Sequence, residues 1–300
     1  MKRIMKWIGL ILGSLLGLVL LAGVVLFLIG NSRLNKTYEF PPSNLTIPTD
    51  ESAIVSGQHR VEVLCVDCHG ADLSGVNNWF AMQPFGSIDS ANLTAGRGGI
   101  GREFTSDEDY VRALRHGIDP QGRPIYMPAV PATSRLSDED LADIIAYLKT
   151  IPPVDHETRG HQFTPVAKVL LALGVFGQLP VEAVSHETNV SAPEAGVSAT
   201  YGEYLVNIND CRTCHGQNLS GGKHPDPSVA TRVPNITPGG EPGYWTEEQF
   251  LTAIRTGSVP GGHQLNPKLM PWQTYRHLTD DELKAIWLYL QSLPKLASNT

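Results

Sequence analysis

The longest apolar stretch of the chain lies at its N-terminus. Residues 7–29 contain no charged side chain, and as a helix they would extend about 34 Å, enough to cross the hydrocarbon core of a bilayer. A cleaved signal peptide is the alternative, but its apolar part would be only ~7–15 residues long and would end near small residues. The pattern therefore predicts an uncleaved, single-pass transmembrane anchor, followed by a linker over residues 30–51.

Beyond this span, apolar positions recur at helical spacing in shorter segments. A helix is predicted over residues 54–64, with Ser52 as its cap. Two amphipathic helices with acidic first turns are predicted to begin near residues 136 and 278 and to end before Pro152 and Pro294. Apart from the linkers, the pattern predicts an all-α fold.

A second apolar segment lies in the middle of the chain, within residues 166–184. Polar residues and a proline limit its apolar run to 8 to 11 residues, which is too short to span a bilayer. One interpretation is a linker helix packed between two domains. The other is a segment that rests on the membrane or docks on a partner subunit. Residues 185–198, which are poor in large apolar side chains, are predicted to form a flexible linker.

One pentapeptide pattern occurs twice, as CVDCH over residues 65–69 and CRTCH over residues 211–215. Two thiols three positions apart, with a histidine directly behind the second, can form thioethers to the two vinyl groups of a haem while the imidazole binds its iron. A zinc site, a dithiol redox motif and structural disulfides are the alternatives. The predicted haem-attachment residues are Cys65, Cys68 and His69 in the first copy and Cys211, Cys214 and His215 in the second.

The two pentapeptides belong to a longer internal repeat. Residues 68–75 (CHGADLSG) and 214–221 (CHGQNLSG) differ at only two positions. The correspondence continues in order through four further pairs of segments. These are NLT at 92–94 with NIT at 235–237, ALRHG at 113–117 with AIRTG at 253–257, YMP at 126–128 with LMP at 269–271, and the two amphipathic helices. The chain therefore contains two copies of one domain.

The repeat also pairs two of the five methionines. Met127 and Met270 lie 58 and 55 residues after the motif histidines, each followed by proline, whereas Met82 has no counterpart. A thioether is a soft, neutral ligand suited to iron that cycles between two oxidation states. Met127 and Met270 are therefore predicted to be the second axial ligands, opposite His69 and His215.

Charge is distributed unevenly along the chain. The first 36 residues carry five basic side chains and no acidic one, which leaves 18 basic against 30 acidic residues in the remainder. This acidic remainder disfavours nucleic acid as a partner and favours a redox protein with a basic docking face. Because haem is normally joined to this motif outside the cytoplasmic membrane, the haem domains are expected on the periplasmic or outer face.

Each half resembles a class I c-type cytochrome domain. The features that carry the resemblance are the CxxCH motif near the start, Met-Pro some 55 to 58 residues later, and the closing helix with Tyr-Leu at 147–148 or 289–290. The resemblance implies two covalently bound haem c groups, held by domains at residues 52–153 and 199–300 and joined by a linker at 154–198. It also implies that the first and last helices of each domain cross near Gly57 and Gly202.

The loop segments NLT/NIT and ALRHG/AIRTG are similar to those of cytochrome subunits of membrane-bound alcohol and sugar dehydrogenases. Arg115 and Arg255 would then pair with haem propionates, or they are solvated arginines at helix ends. Thr94 and Thr237 are expected to form turns, with propionate contacts as the alternative.

The expected function is that of a membrane-anchored electron carrier, not an enzyme, because iron held by histidine and methionine has no vacant position. It would pass electrons from a dehydrogenase or quinol-oxidising complex to a soluble cytochrome or oxidase. One alternative is a peroxidase-like di-haem enzyme with one displaceable methionine. The other is a cytochrome subunit of a larger membrane dehydrogenase complex.

Overall fold

A single helix carries the N-terminal apolar run. The computed structural model describes residues 2–226 and 229–299, and it begins with α1 (Lys2–Leu34), which is continuous through the apolar stretch. Within those residues, α1 is the one helix that is long and apolar enough to cross a membrane. Its apolar side chains are exposed along most of its length, and Leu34 is buried at its C-terminal end. The helix therefore fits a membrane anchor.

The first repeat begins after residue 50 and is mainly helical. Its elements are α2 (Glu51–Leu64), α3 (Val66–His69), β1 (Phe80–Met82), β2 (Gly86–Ile88), α4 (Ile100–Glu103), α5 (Asp107–Val111) with a π-helical turn over Arg112–His116, α6 (Val130–Thr133) and α7 (Asp138–Leu148). Helix α2 begins at Glu51, earlier than predicted. Asp50, rather than Ser52, is its cap, because the Asp50 carboxylate accepts the Ala53 amide at 3.1 Å.

The segment between the repeats contains β3 (His161–Phe163), α8 (Pro165–Ala172) and a 3-10 turn over Pro180–Glu182. Strand β2 pairs antiparallel with both β1 and β3, so this segment extends a small sheet of the first domain. The fold is mostly helical, as predicted, but the expectation of an all-α chain missed this sheet. Three-residue strands are too short to show the alternation by which strands are recognised.

Helix α8 does not pack between the two domains, so that interpretation of the middle apolar segment is wrong. Its main neighbour is α1, and it also touches β3. A Cβ atom on Gly30 would lie 1.9 Å from the carbonyl oxygen of Lys168, which shows how closely α1 and α8 approach. Residues farther along the linker stay near the first domain, where the Asp138 amide donates to the Val190 carbonyl at 2.8 Å.

The second repeat follows the same helical order. It contains α9 (Ala199–Ile208), α10 (Cys211–His215), a 3-10 turn over Glu241–Tyr244, α11 (Glu247–Thr256), α12 (Trp272–Tyr275) and α13 (Asp280–Ser292). Both closing helices begin with a hydroxyl side chain as their cap. The Ser137 hydroxyl accepts the Asp140 amide at 3.0 Å, and the Thr279 hydroxyl accepts the Glu282 amide at 3.2 Å.

In each domain the first and last helices cross at a glycine. A Cβ atom on Gly57 of α2 would lie 1.9 Å from the Asp143 carbonyl oxygen of α7. One on Gly202 of α9 would lie 1.9 Å from the Ala285 carbonyl oxygen of α13. Only glycine permits such close contact between two helix backbones. The expectation that Gly57 and Gly202 lie at the crossings is confirmed.

The two domains pack side by side and share one apolar cluster. Leu141 and Ile144 of α7 belong to it together with Leu205 of α9 and Leu283 of α13. A buried polar group crosses the same interface. Arg60 of α2 donates to Asp140 of its own domain at 2.8 Å, and in the second domain to Glu282 at 2.6 Å and to the Tyr201 hydroxyl at 2.8 Å. Hydrogen bonds and apolar packing therefore both fix the relative position of the domains.

Candidate functional site

Each CxxCH motif forms one turn of helix. In the first domain the turn is α3, where the His69 amide donates to the Cys65 carbonyl at 2.9 Å. In the second domain the turn is α10. In a helix, residues i and i+3 lie on the same face, so the two cysteines of each motif are presented to the same side. The glycine after each histidine has φ near +80°, a conformation that other residues rarely adopt.

The two motif histidines are oriented in the same way. The Nδ1 atom of His69 donates to the carbonyl oxygen of Ala91 at 2.7 Å, and that of His215 donates to the carbonyl oxygen of Pro234 at 2.9 Å. An N–H bonded at Nδ1 leaves Nε2 deprotonated and available as a metal ligand. Both side chains therefore have the tautomer and orientation that an axial histidine of a haem requires.

Burial governs the acid–base properties of these residues. It lowers the pKa of His69 and of His215, with a smaller opposing effect from the hydrogen bond to the backbone carbonyl in each case. Both imidazoles are therefore neutral at physiological pH, the form that binds iron. Burial also raises the pKa of Cys65, Cys68 and Cys211 to about 12, so these sulfurs are thiols at neutral pH rather than thiolates.

Two of the alternatives considered for the motifs do not fit this geometry. Within residues 2–226 and 229–299, no group of three or more histidine, cysteine or acidic side chains could hold a metal ion, and a structural zinc site needs four converging ligands. None of the four cysteines is in a disulfide. A covalently attached haem, by contrast, needs the two sulfurs at its edge and only the histidine at its iron.

The sequence did not reveal the two backbone carbonyls, of Ala91 and Pro234, that orient the histidines. Ala91 directly precedes the repeated NLT segment and Pro234 directly precedes NIT, so the repeat marked these positions without revealing their role. The asparagine of each segment ties the loop to the chain just after the closing helix. Asn92 donates to the Val154 carbonyl at 2.8 Å, and Asn235 donates to the Leu296 carbonyl at 2.8 Å. The histidine's partner is thus held in place by a hydrogen bond from a buried asparagine.

The threonines of the same segments stabilise the turns that follow. The Thr94 hydroxyl accepts the Gly96 amide at 3.1 Å, and the Thr237 hydroxyl accepts the Gly239 amide at 3.2 Å. Both threonines are fully buried. The expectation that they form turns is confirmed, and these hydroxyls are engaged by backbone groups.

A cavity of about 400 Å³ lies in the second domain, within the size range of small-molecule and cofactor sites. Cys211, Cys214, His215 and Met270 all line it. Much of the remaining wall is apolar and comes from the helices and loops that enclose it. Examples are Val206, Phe250, Ile254, Leu265, Leu283 and Leu290. The cavity offers a planar apolar cofactor two cysteine sulfurs, an imidazole and a thioether, a set of groups that fits a haem c.

The two methionines lie in corresponding loops. Met127 is half-buried, and its carbonyl accepts the Val130 amide at 3.1 Å at the start of α6. Met270 is also half-buried, and its carbonyl accepts the Trp272 amide at 2.7 Å at the start of α12. Met270 shares a cavity with the attachment residues of its own domain. Met127 occupies the equivalent place before a short helix in the first domain.

Both paired arginines have protein partners in the structure. Arg115 is buried, and it donates to the carbonyls of Ser134 and Leu136 and to the Asp138 carboxylate. Arg255 makes the equivalent contacts with the Arg276 carbonyl and with Asp280 at 2.7 Å. Each guanidinium therefore joins the end of one helix to the start of the closing helix. Arg115 is thus not a solvated arginine, whereas the contacts of Arg255 lie at the surface. Pairing of either arginine with a haem propionate stays a prediction.

Each of the two repeats matches a known family. Residues 54–152 match the family of cytochrome c, and residues 198–290 match the family described as cytochrome c oxidase, cbb3-type, subunit III. Three similar proteins illustrate the range of relatives.

The fructose dehydrogenase cytochrome subunit of Gluconobacter japonicus is 29% identical over 277 residues, which cover 85% of this chain and 56% of that protein. The cytochrome c subunit of the quinone-dependent alcohol dehydrogenase of Gluconobacter oxydans is 28% identical over 273 residues, covering 82% of this chain and 55% of that subunit. A diheme cytochrome c-type protein of Cereibacter sphaeroides is 28% identical over 258 residues, covering 77% of this chain and 82% of that protein.

The chain thus spans about half the length of the two dehydrogenase subunits and most of the length of the diheme cytochrome. Cytochrome c domains of this type bind haem c covalently, and the cysteine, histidine and cavity geometry described above fits that group. The chain carries two c-type cytochrome domains in tandem behind an N-terminal apolar helix, and it is similar to cytochrome c subunits of membrane-bound dehydrogenases.

Proposed function

We propose that this protein is a membrane-anchored di-haem electron carrier. The observation that carries the proposal is the repeated donor arrangement. Each domain has a CxxCH turn whose histidine is fixed through Nδ1, and each has a methionine in the corresponding loop before a short helix. A haem c with both axial positions filled exchanges single electrons at its edge and does not open a position for substrate.

In this proposal Cys65, Cys68, Cys211 and Cys214 form the thioether bonds, and His69 and His215 are the proximal ligands. Met127 and Met270 are the distal ligands of the first and second domain. The cavity that Met270 shares with the other three residues supports the assignment in the second domain. The internal repeat supports the assignment in the first.

The two sites are also held close to each other. Asp67, which lies inside the first CxxCH turn, accepts a hydrogen bond from the Thr274 hydroxyl at 3.4 Å. Thr274 lies on α12, directly after the loop of Met270, and the neighbouring Tyr275 lines the cavity of the second domain. The Tyr275 hydroxyl donates to the Asn209 carbonyl at 2.9 Å. The first motif therefore touches the short helix that follows the Met270 loop of the second domain.

The membrane anchor and the partners are part of the same proposal. Helix α1 would hold the protein in the cytoplasmic membrane with both haem domains on the periplasmic or outer face. The acidic remainder of the chain would favour a partner with a basic docking surface. A dehydrogenase or a quinol-oxidising complex would be the donor, and a soluble cytochrome or an oxidase would be the acceptor.

The test is the visible spectrum of the purified reduced protein, with haem quantified per chain, before and after addition of carbon monoxide and then peroxide. Two covalently bound low-spin haems that react with neither reagent are the expected result. Binding of carbon monoxide or reaction with peroxide at one haem would show an open iron. The electron-carrier proposal would then give way to a peroxidase-like enzyme with a displaceable methionine.

A second possibility is that the chain works as the cytochrome subunit of a membrane dehydrogenase. The observation that favours it is the similarity to proteins named as cytochrome subunits of fructose and alcohol dehydrogenases. Mild-detergent extracts of the native membranes, separated on native gels, distinguish the two cases. Co-migration of the haem stain with a dehydrogenase activity supports a subunit, and migration of the chain by itself supports a free-standing carrier.

A further inference from the structure

Helix α8 lies against the C-terminal end of the transmembrane helix. The contact is close at Gly30, where a Cβ atom would meet the Lys168 carbonyl oxygen at 1.9 Å. Arg33 of α1 donates to the Leu171 carbonyl at 2.8 Å, and Ala167 and Leu171 are buried. These contacts fix the position of α8 relative to the end of α1.

Other side chains of this segment remain exposed although they are apolar. Val166 is 51% exposed, Leu173 is 57% exposed and Val175 is 61% exposed. Val166 and Leu173 are seven residues apart, a spacing that places them on the same side of the helix. A row of exposed branched aliphatic side chains is unfavourable in water and typically marks a surface that is covered by something else.

The single charged residue of α8 has its ammonium group directed at α1. The Lys168 Nζ atom donates to the Asn31 side chain at 2.8 Å and lies 5.4 Å from the centre of the Phe27 ring. Lysine side chains at a membrane boundary commonly place an aliphatic stem along apolar surface and the charged group at the polar level. The contacts of Lys168 therefore mark the level of the boundary on α1.

The length of α1 independently places the membrane boundary at the same residues. Residues 7–29 would extend about 34 Å, slightly more than the ~30 Å of a hydrocarbon core, so residues 27–30 lie at its edge. Val25, Leu28 and Ile29 of α1 are exposed at this level. The exposed apolar side chains of α1 and those of α8 therefore adjoin each other and form one surface.

We propose that α8 and the turn through Phe176 lie in the interface of the bilayer and form a second, non-spanning membrane contact. The occupant is phospholipid, because the exposed apolar residues adjoin a helix whose own apolar surface requires lipid at the same height. Phe176 packs edge-to-face on Phe85 of the first domain, with ring centres 5.8 Å apart. This contact would hold the first domain at a fixed height and tilt above the membrane. The inference depends on the proposed anchoring by α1.

The experiment measures the depth of nitroxide labels in the full-length, haem-loaded chain, reconstituted in nanodiscs of POPC and POPG. Single cysteines are introduced as Leu173→Cys and Val175→Cys. The matched control is Val197→Cys, at an exposed valine that precedes the second domain. Leu18→Cys reports on α1 itself. The unsubstituted chain is the labelling control. Its four cysteines would be bonded to haem, so it should take up no nitroxide label.

If α8 lies in the interface, labels at positions 18, 173 and 175 will collide more often with oxygen, which partitions into lipid, than with a water-soluble nickel chelate. The label at position 197 will show the reverse preference. Chelate accessibility at 173 and 175, with position 18 still in lipid, would overturn the inference and leave the anchor intact. The exposed residues would then form a docking surface for a protein. Chelate accessibility at 18 would overturn both proposals.

Discussion

The surroundings of His69 and His215 fix the tautomer and orientation that an iron ligand needs. Each imidazole is bonded at Nδ1 to a backbone carbonyl of a loop that is itself tied down by a buried asparagine. Burial lowers the pKa of both rings, so they remain neutral and Nε2 is free. Among the residues that the structure describes, none donates a hydrogen bond to the sulfur of Met127 or Met270, and the role of these methionines is therefore best tested by substitution.

Replacement of Met270 by alanine is expected to leave a vacant axial position at the iron of one of the two haems. With the thioether removed, the reduced protein should bind carbon monoxide at about half of its haem, while Met270→His should remain low-spin with a lower reduction potential. Met127→Ala should have the same effect on the other haem. The measurements are carbon monoxide difference spectra and redox titration.

Met82→Ala is the matched control, because Met82 lies on β1 and has no counterpart in the second repeat. The Met82→Ala variant should keep both axial positions filled at both haem irons. A closed, low-spin haem in Met270→Ala would contradict the assignment of Met270 as a ligand.

At the scale of elements, the domains depend on close contacts between helix backbones. Caps at Ser137 and Thr279 start the closing helices where local sequence predicts, because the cap and the amide it binds are only three residues apart. The start of α2 was predicted less well, since Asp50 and Ser52 are both plausible caps and only the structure shows which carboxylate or hydroxyl accepts the amide. The helix crossings, in contrast, were implied by family resemblance.

Substitution of the crossing glycines should destabilise each domain separately. Gly57→Ala and Gly202→Ala each place a methyl group against a carbonyl oxygen of the closing helix, so the helices must move apart. The expected loss is on the order of 1–3 kcal/mol in the free energy of unfolding, as for other overpacked sites. Thermal unfolding in detergent, followed by circular dichroism, measures it.

Gly17→Ala provides the comparison, because within residues 2–226 and 229–299 a Cβ at Gly17 meets nothing within 4 Å beyond its neighbours in the same helix backbone. This variant should unfold like the unsubstituted chain. Equal stability of Gly57→Ala and Gly17→Ala would show that α2 and α7 are not held in the close packing described above.

The whole molecule is organised by the interface between its two domains. Arg60 has no charged counterpart in the second repeat, where Leu205 occupies the corresponding position three residues after the crossing glycine. Its guanidinium joins Asp140 of the first domain to Glu282 of the second, and all three side chains are nearly buried. Because a buried charge without its partner is costly, this group of residues favours one relative arrangement of the domains.

Arg60→Met should therefore be strongly destabilising, on the order of 3–5 kcal/mol, because it leaves two buried carboxylates without their partner. The double variant Arg60→Met/Glu282→Gln should recover part of the loss. Thermal unfolding of the full chain measures both effects. A single variant as stable as the original would show that the domains do not depend on this ion pair.

The pH dependence of stability should include a contribution from Glu282. Burial raises its pKa, but the hydrogen bond with His59 and the charge of Arg60 outweigh burial and lower it to about 2. The folded-state pKa is below the usual value, so the contribution is complete above about pH 4.5 and is lost as the pH falls towards 2. Its size is on the order of 3 kcal/mol.

Comparison with Glu282→Gln isolates this contribution from that of other carboxylates. The difference in unfolding free energy between the original chain and the variant should shrink steadily between about pH 5 and pH 2. The measurement is denaturant unfolding at a series of pH values. A difference that stays constant over this range would rule out a lowered pKa for Glu282.

The sequence by itself determined the apolar span, the two CxxCH motifs, the internal repeat and the pairing of Met127 with Met270. Each of these is a local pattern, or a comparison of two local patterns, so no knowledge of distant contacts is needed. Only the tertiary structure decided which carbonyls orient the histidines, what Arg115 and Arg255 bind, and where α8 lies. It also revealed the contact of Arg60 with Glu282, which is 222 positions away. Such partners are set by how whole helices pack, and a side chain's chemistry does not specify which distant group it will meet.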